Sequence, residues 1–146
     1  MKVVLDLNVV LDVVQNRQPH YQDSAVVLSR ARTGDISALL PGHAVTTLYY
    51  ILAKAAGKAK AGQTVDWLLT HFEIGVADKA ILRRARQMSL ADFEDAVVAS
   101  VAEAAHSDYV VTRNVADFAG SPVPAITPAD FLVVLARATP PPAATS

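Results

Sequence analysis

The chain contains no cysteine. Disulfides, zinc ribbons, iron–sulfur clusters and thiol catalysis are excluded together, and the absence fits a reducing cytoplasm. Long hydrophobic runs are missing too. No uncharged apolar stretch approaches the roughly 18 residues a membrane helix needs. Asp6 and Asp12 break the apolar run at the start, so no signal peptide is expected. The expectation is a soluble, cytoplasmic protein. There is also no excess charge of one sign. Thirteen Lys and Arg stand against 14 Asp and Glu, for a formal net charge of -1, which does not announce a nucleic-acid binder but leaves room for a local basic rim. There is no P-loop and no G-x-G-x-x-G. The four histidines, His20, His43, His71 and His106, are scattered without metal-ligand spacing, so no zinc site is expected.

What is present points to a globular domain. The 146 residues are 52% hydrophobic and 18% charged, enough for one core and too apolar for disorder. Residues 1–137 read as a single domain, and the end "TPPPAATS" makes 138–146 a disordered tail. Val3–Leu5 is a short β-branched run, the pattern of a strand buried on both faces. "ISALLPG", "FEIGV", "DYVVT" and "PAIT" are further strand candidates. Between them lie helical patterns: a short helix capped by Asn8, "YQDSAVVLSRARTG" ending at Gly34, "HAVTTLYYILAKAAG" ending at Gly57, "KAKAGQTVDWLLTH", "ADKAILRRARQM", "DFEDAVVASVAEAAH" and "PADFLVVLAR". In the fifth of these, Ile81, Leu82 and Ala85 should face inward and the arginines outward. In the sixth, Phe93, Val97, Val98, Val101 and Ala105 form one apolar stripe. Alternating strands and helices imply an α/β fold with a mainly parallel sheet.

In such sheets, ligands bind beyond the carboxyl ends of the strands. Asp6 follows the first strand, and Arg113, Asn114 and Asp117 follow the fourth. Asp92 and Asp95, three residues apart, share a helix face. Clustered carboxylates repel unless a counter-charge is supplied. Mg²⁺ or Mn²⁺ would supply it through oxygen ligands, and would support phosphodiester hydrolysis. Each acid also has an ordinary reading. Asp6 is equally a cap, Asp92, Glu94 and Asp95 complement a helix dipole, and Asp117 sits in a loop. Asp12 is expected on the exposed side of its short helix. Lys54, Lys58 and Lys60 read as a solvated helix face.

Two stretches, "VVLDLNVVLD" and "DFEDAVVASVAEAAHSDYVVTRNVADF", resemble the PIN-domain family, the nuclease fold of many VapC-type toxins. The resemblance runs from Met1 to about Leu132. It implies a three-layer α/β/α sandwich and a divalent-metal-dependent ribonuclease. Asp6, Asp95 and Asp117 would bind the Mg²⁺ or Mn²⁺, with Asp92 assisting. Asn8, Thr112 and Asn114 would orient ligands or substrate, and Arg113 would stand beside the phosphate. RNA is the implied substrate, a small antitoxin the implied partner and a homodimer the implied assembly. Two positions depart from the family pattern. Leu7 stands where relatives carry Ser or Thr, and "HAVTTLYYILAK" lacks the glutamate many relatives place early in the second long helix, with Tyr49 near that position. A domain that binds RNA or protein without cutting is the alternative. A haloacid-dehalogenase-type phosphatase with Asp6 as nucleophile fits less well, because it needs a second aspartate at position 8, which is Asn.

Overall fold

A computed structural model of the protein describes residues 1–138. The expected tail lies outside the described residues, except Ala138, which closes the last helix. Five strands form one parallel sheet: β1 (Lys2–Leu5), β2 (Ser37–Pro41), β3 (Glu73–Gly75), β4 (Tyr109–Val111) and β5 (Ala125–Ile126), in the order β3-β2-β1-β4-β5. The helices are α1 (Leu7–Val14), α2 (Tyr21–Arg32), α3 (Gly42–Ala56), α4 (Lys58–His71), α5 (Lys79–Gln87), α6 (Phe93–Ala104) and α7 (Pro128–Ala138), with a 3-10 turn at Val115–Phe118.

Successive residues of β1 point to opposite faces of the sheet, as the strand period requires. Val3 and Leu5 pack into a cluster with α1, α2, α3, α4 and α7, while Val4 packs with α6 and Phe118. The result is the three-layer α/β/α sandwich. Helix α6 is the most enclosed of the helices: every residue from Ala96 to Ala102 is buried, between the sheet and α5. Small residues allow that depth. At β3 the fit is tighter still, because a Cβ on Gly75 would overlap the Val101 Cγ1 methyl of α6. Gly75→Ala is therefore expected to destabilise the fold by about 1–3 kcal/mol, read as a lower urea midpoint at unchanged slope. Gly57, at φ +90, makes the reversal between α3 and α4, which residues with a Cβ rarely can.

The sequence reading needs four local corrections. Asn8 does not cap α1. Asp6 does, from an extended backbone (φ -72, ψ 151), with its carboxylate accepting from the Leu7 amide. Asp12 is not on an exposed face: it is completely buried. Phe93 and Leu82 do not join the inward stripes and are 49% and 39% exposed. Phe93 is the first residue of its helix, and Leu82 lies off the face on which Ile81 and Ala85 pack.

Candidate active site

The strand order changes direction between β1 and β4, the switch point at which open α/β sheets place their ligands. Asp6 leaves β1 there while its amide still donates to the Val111 carbonyl of β4, at 2.9 Å. Its side chain is fixed at both oxygens. Oδ1 accepts from the Leu7 amide at 2.8 Å, and Oδ2 accepts from the Thr112 hydroxyl at 2.7 Å and from Asn8 Nδ2 at 3.3 Å. Thr112, fully buried, also accepts from the Asn114 amide at 3.0 Å. The Arg113 amide lies 3.5 Å from Asn8 Oδ1. Asn8, Thr112 and Asn114 thus form a single network around Asp6. Asn114 enters through its backbone.

Burial pushes the Asp6 carboxyl up from its ordinary value. Thr112 and the Leu7 amide pull it back, Glu94 raises it and Arg113 lowers it. Thr112→Val keeps the shape and removes the hydroxyl, so the Asp6 carboxyl should move further up. Carboxyl-detected NMR titration would check this, and an unchanged titration would show that the hydrogen bond does not matter.

Asp95 opens α6, half-buried, one turn after Asp92. Asp92 caps the helix by accepting from the Asp95 amide at 3.1 Å. Burial, then the charges of Asp6, Asp92, Asp117 and Glu94, pushes the Asp95 carboxyl up to about 6. Four further acids from three parts of the chain therefore act on one carboxylate. Asp117, exposed in the 3-10 turn, reaches the group from the β4 side. Among the described residues, no three Asp, Glu or His side chains form a group able to hold a metal in their present rotamers. The donor chemistry still fits a hard divalent cation: the acids supply only oxygen, and their mutual repulsion is what a dication relieves.

The sequence reading missed the partners of three side chains near or beneath the rim. Glu94 faces His43, at the start of α3, across 3.8 Å, and both ring nitrogens of His43 are buried without a hydrogen-bond partner. Asp12, below the site, pairs with Arg113: Oδ2 lies 2.9 Å from Nε and accepts from Ser24 Oγ at 3.2 Å. Arg113 thus spends its Nε on a core carboxylate. No local pattern announces this pairing, because Asn8 and Asp12 stand four residues apart and read together as one polar helix face. Tyr49 is half-buried against the core and edge-on to Tyr50. Lys54 and Lys58 line a separate open groove with Tyr50.

The family profile described as PIN domain matches residues 2–116. No curated protein matches the chain. Several solved structures share its fold. VapBC from Salmonella typhimurium, bound to DNA, is 16% identical with a TM-score of 0.69, covering 88% of this chain and 98% of that one. A toxin–antitoxin complex from Klebsiella pneumoniae is 20% identical with a TM-score of 0.66, over 86% and 97%. VapC20 from Mycobacterium tuberculosis, described as a sarcin–ricin loop cleaving toxin, is 10% identical with a TM-score of 0.61, over 74% and 86%. At such identities the likeness is one of fold. The profile match, by contrast, runs through every segment that builds the acidic centre except Asp117, and on that ground the chain belongs to the PIN domain family.

Proposed function

We propose that this PIN domain is a divalent-metal-dependent endoribonuclease and the toxin of a toxin–antitoxin pair. The observation that carries the reading is the convergence of Asp6, Asp92, Asp117 and Glu94 on Asp95 at the sheet's switch point. Asp6, Asp95 and Asp117 are the residues that would hold Mg²⁺ or Mn²⁺, with Asp92 assisting. When bound, such an ion supplies a Lewis acid for a phosphoryl oxygen and lowers the pKa of water. The chain's own groups supply the order. Thr112, Asn8 and the Leu7 amide hold Asp6 at one orientation, and Asn114 presents its side chain at the exposed rim, where substrate would lie. In the reaction, a water oxygen bonds to phosphorus and the bond to the leaving ribose oxygen breaks. The leaving oxygen takes up a proton and the attacking water loses one.

The cleaving activity in the description of VapC20 supports RNA as substrate. The complexes from Klebsiella and Salmonella support an antitoxin partner. A cytoplasmic homodimer is part of the same proposal. Among the described residues, no helix is long and apolar enough to cross a membrane.

One observation favours a second reading, a domain that binds without cutting: the acids are not drawn into a ligating set as they stand. Calorimetric titration of Mn²⁺, with cleavage of labelled RNA on the same samples, separates the two. The wild type should bind Mn²⁺ and cut. Asp6→Asn should lose about 100-fold or more in rate and bind the ion more weakly. RNA binding with neither metal affinity nor cleavage would replace the nuclease by the binding module.

A further inference from the structure

We propose that Asp12 is a positioning residue for the acidic centre: through Arg113 it clamps the Thr112–Asn114 turn against α1 and so fixes the orientation of Asp6. This rests on the nuclease reading above for its consequence in activity. The clamp itself is a matter of geometry.

Asp12 is fully buried, yet its Oδ1 has no hydrogen-bond partner, and Arg113 Nε, 2.9 Å from Oδ2, is itself buried without a well-aligned hydrogen bond. A buried ion pair of this kind is seldom more stabilising than an apolar pair of the same volume. Stability alone therefore does not account for it. What an ion pair has and an apolar pair lacks is a demand on where its partner goes. Asp12 lies on α1 six residues after Asp6, and Arg113 follows Thr112 directly. Pulling the Arg113 side chain down to Asp12 fixes the backbone on either side of it. That backbone carries the Thr112 hydroxyl to Asp6 Oδ2 at 2.7 Å and the Asn114 amide to Thr112 Oγ1 at 3.0 Å. It also carries the Arg113 amide to within 3.5 Å of Asn8 Oδ1. Asn8, in turn, donates to Asp6. The start of α1 and the end of β4 are therefore joined twice, once at the rim by the polar network and once underneath by the ion pair. Ser24 of α2, donating to the same Asp12 oxygen at 3.2 Å, keeps the carboxylate from turning away.

The test replaces both charges at once, Asp12→Leu with Arg113→Met, so that no charge is stranded in the core. Asp12→Asn, which keeps an acceptor for Arg113, is the conservative control. Amide hydrogen exchange is read at Leu7, Arg113 and Asn114, with Val4 and Val110 as internal references, alongside thermal melting and Mn²⁺ affinity. The double variant should melt within a few degrees of wild type. Exchange at the three rim amides should rise at least tenfold while the references hold, and Mn²⁺ affinity should fall about tenfold or more. Asp12→Asn should recover at least half of each effect. Rim exchange unchanged in the double variant, or rising only in step with Val4 and Val110, would overturn the proposal. A selective rise in the double variant, with a wild type that binds no Mn²⁺, would uphold the clamp and remove the nuclease reading instead.

Discussion

Asp95→Asn should slow RNA cleavage by about 100- to 1000-fold and yet raise the melting temperature of the metal-free protein at neutral pH. Both effects have one cause. The Asp95 carboxyl is pushed up to about 6 by burial and by four acidic neighbours. In the unfolded chain those neighbours are dispersed and the carboxyl returns to its ordinary value near 3.8. Between these two values the folded state holds more protons than the unfolded state, so stability falls as pH rises through the window. Below the lower value Asp95 is protonated in both states and the penalty vanishes. Above about 6 the penalty is complete. The amide of asparagine never carries the charge. After allowance for solvent screening of a partly exposed group, the gain at pH 7 to 8 should be about 1 kcal/mol, or a few degrees. It should disappear near pH 4. Melting curves of both proteins without metal, taken at pH 4 and pH 7.5, give the answer. Equal melting at both values would mean that neither burial nor the neighbouring acids raise the Asp95 carboxyl. Saturating Mn²⁺ should reverse the order, because binding to the folded wild type stabilises it by mass action.

Asp12→Ala should be among the most damaging single substitutions in the chain, at about 3–5 kcal/mol. It removes the carboxylate and leaves the partly buried Arg113 guanidinium without its counter-charge, with Ser24 Oγ also without its acceptor. Stabilities of ordinary domains are about 5–15 kcal/mol, so the variant would lose a large part of the total. Urea unfolding measures it directly as a fall in midpoint at constant slope. A loss under about 1 kcal/mol would place Asp12 effectively in solvent, where the sequence had put it.

The contrast between Asp12 and Asp6 shows what a sequence displays and what it conceals. Asp6 was legible because it ends a β-branched run, and the ends of parallel strands are where an α/β fold places polar chemistry. The strands themselves were legible for the same reason: Val3–Leu5 and Tyr109–Val111 are short, apolar and bounded by polar residues. Thr112 and Asn8 came from the resemblance to the PIN-domain family, through "VVLDLNVVLD" and "YVVTRNVADF". Asp12 was not legible as a core charge, because its partner stands 101 positions away in the chain and only the pairing of β1 with β4 brings the two together. Phe93 misled in the opposite direction: its spacing matches the buried stripe of α6, but it lies in the first turn, outside the sheet's cover. The same limit applies to His43 and Glu94, which meet across two helices with no local pattern to announce them. The acidity of Asp95 is a sum over neighbours from several segments, and no window of sequence contains it.

The placing of β4 beside β1, after β2 and β3 have been laid down on the other side, has a consequence during synthesis. A chain still on the ribosome exposes its first strand, its first two helices and the whole β3-β2-β1 half of the sheet long before residue 109 emerges. Through that time the Asp6 carboxylate has its helix cap but not its threonine. No fragment ending before Thr112 contains the centre. The surroundings of Asp6 and Asp95 are therefore completed only when β4 docks beside β1 and brings Thr112 and Asp117 with it.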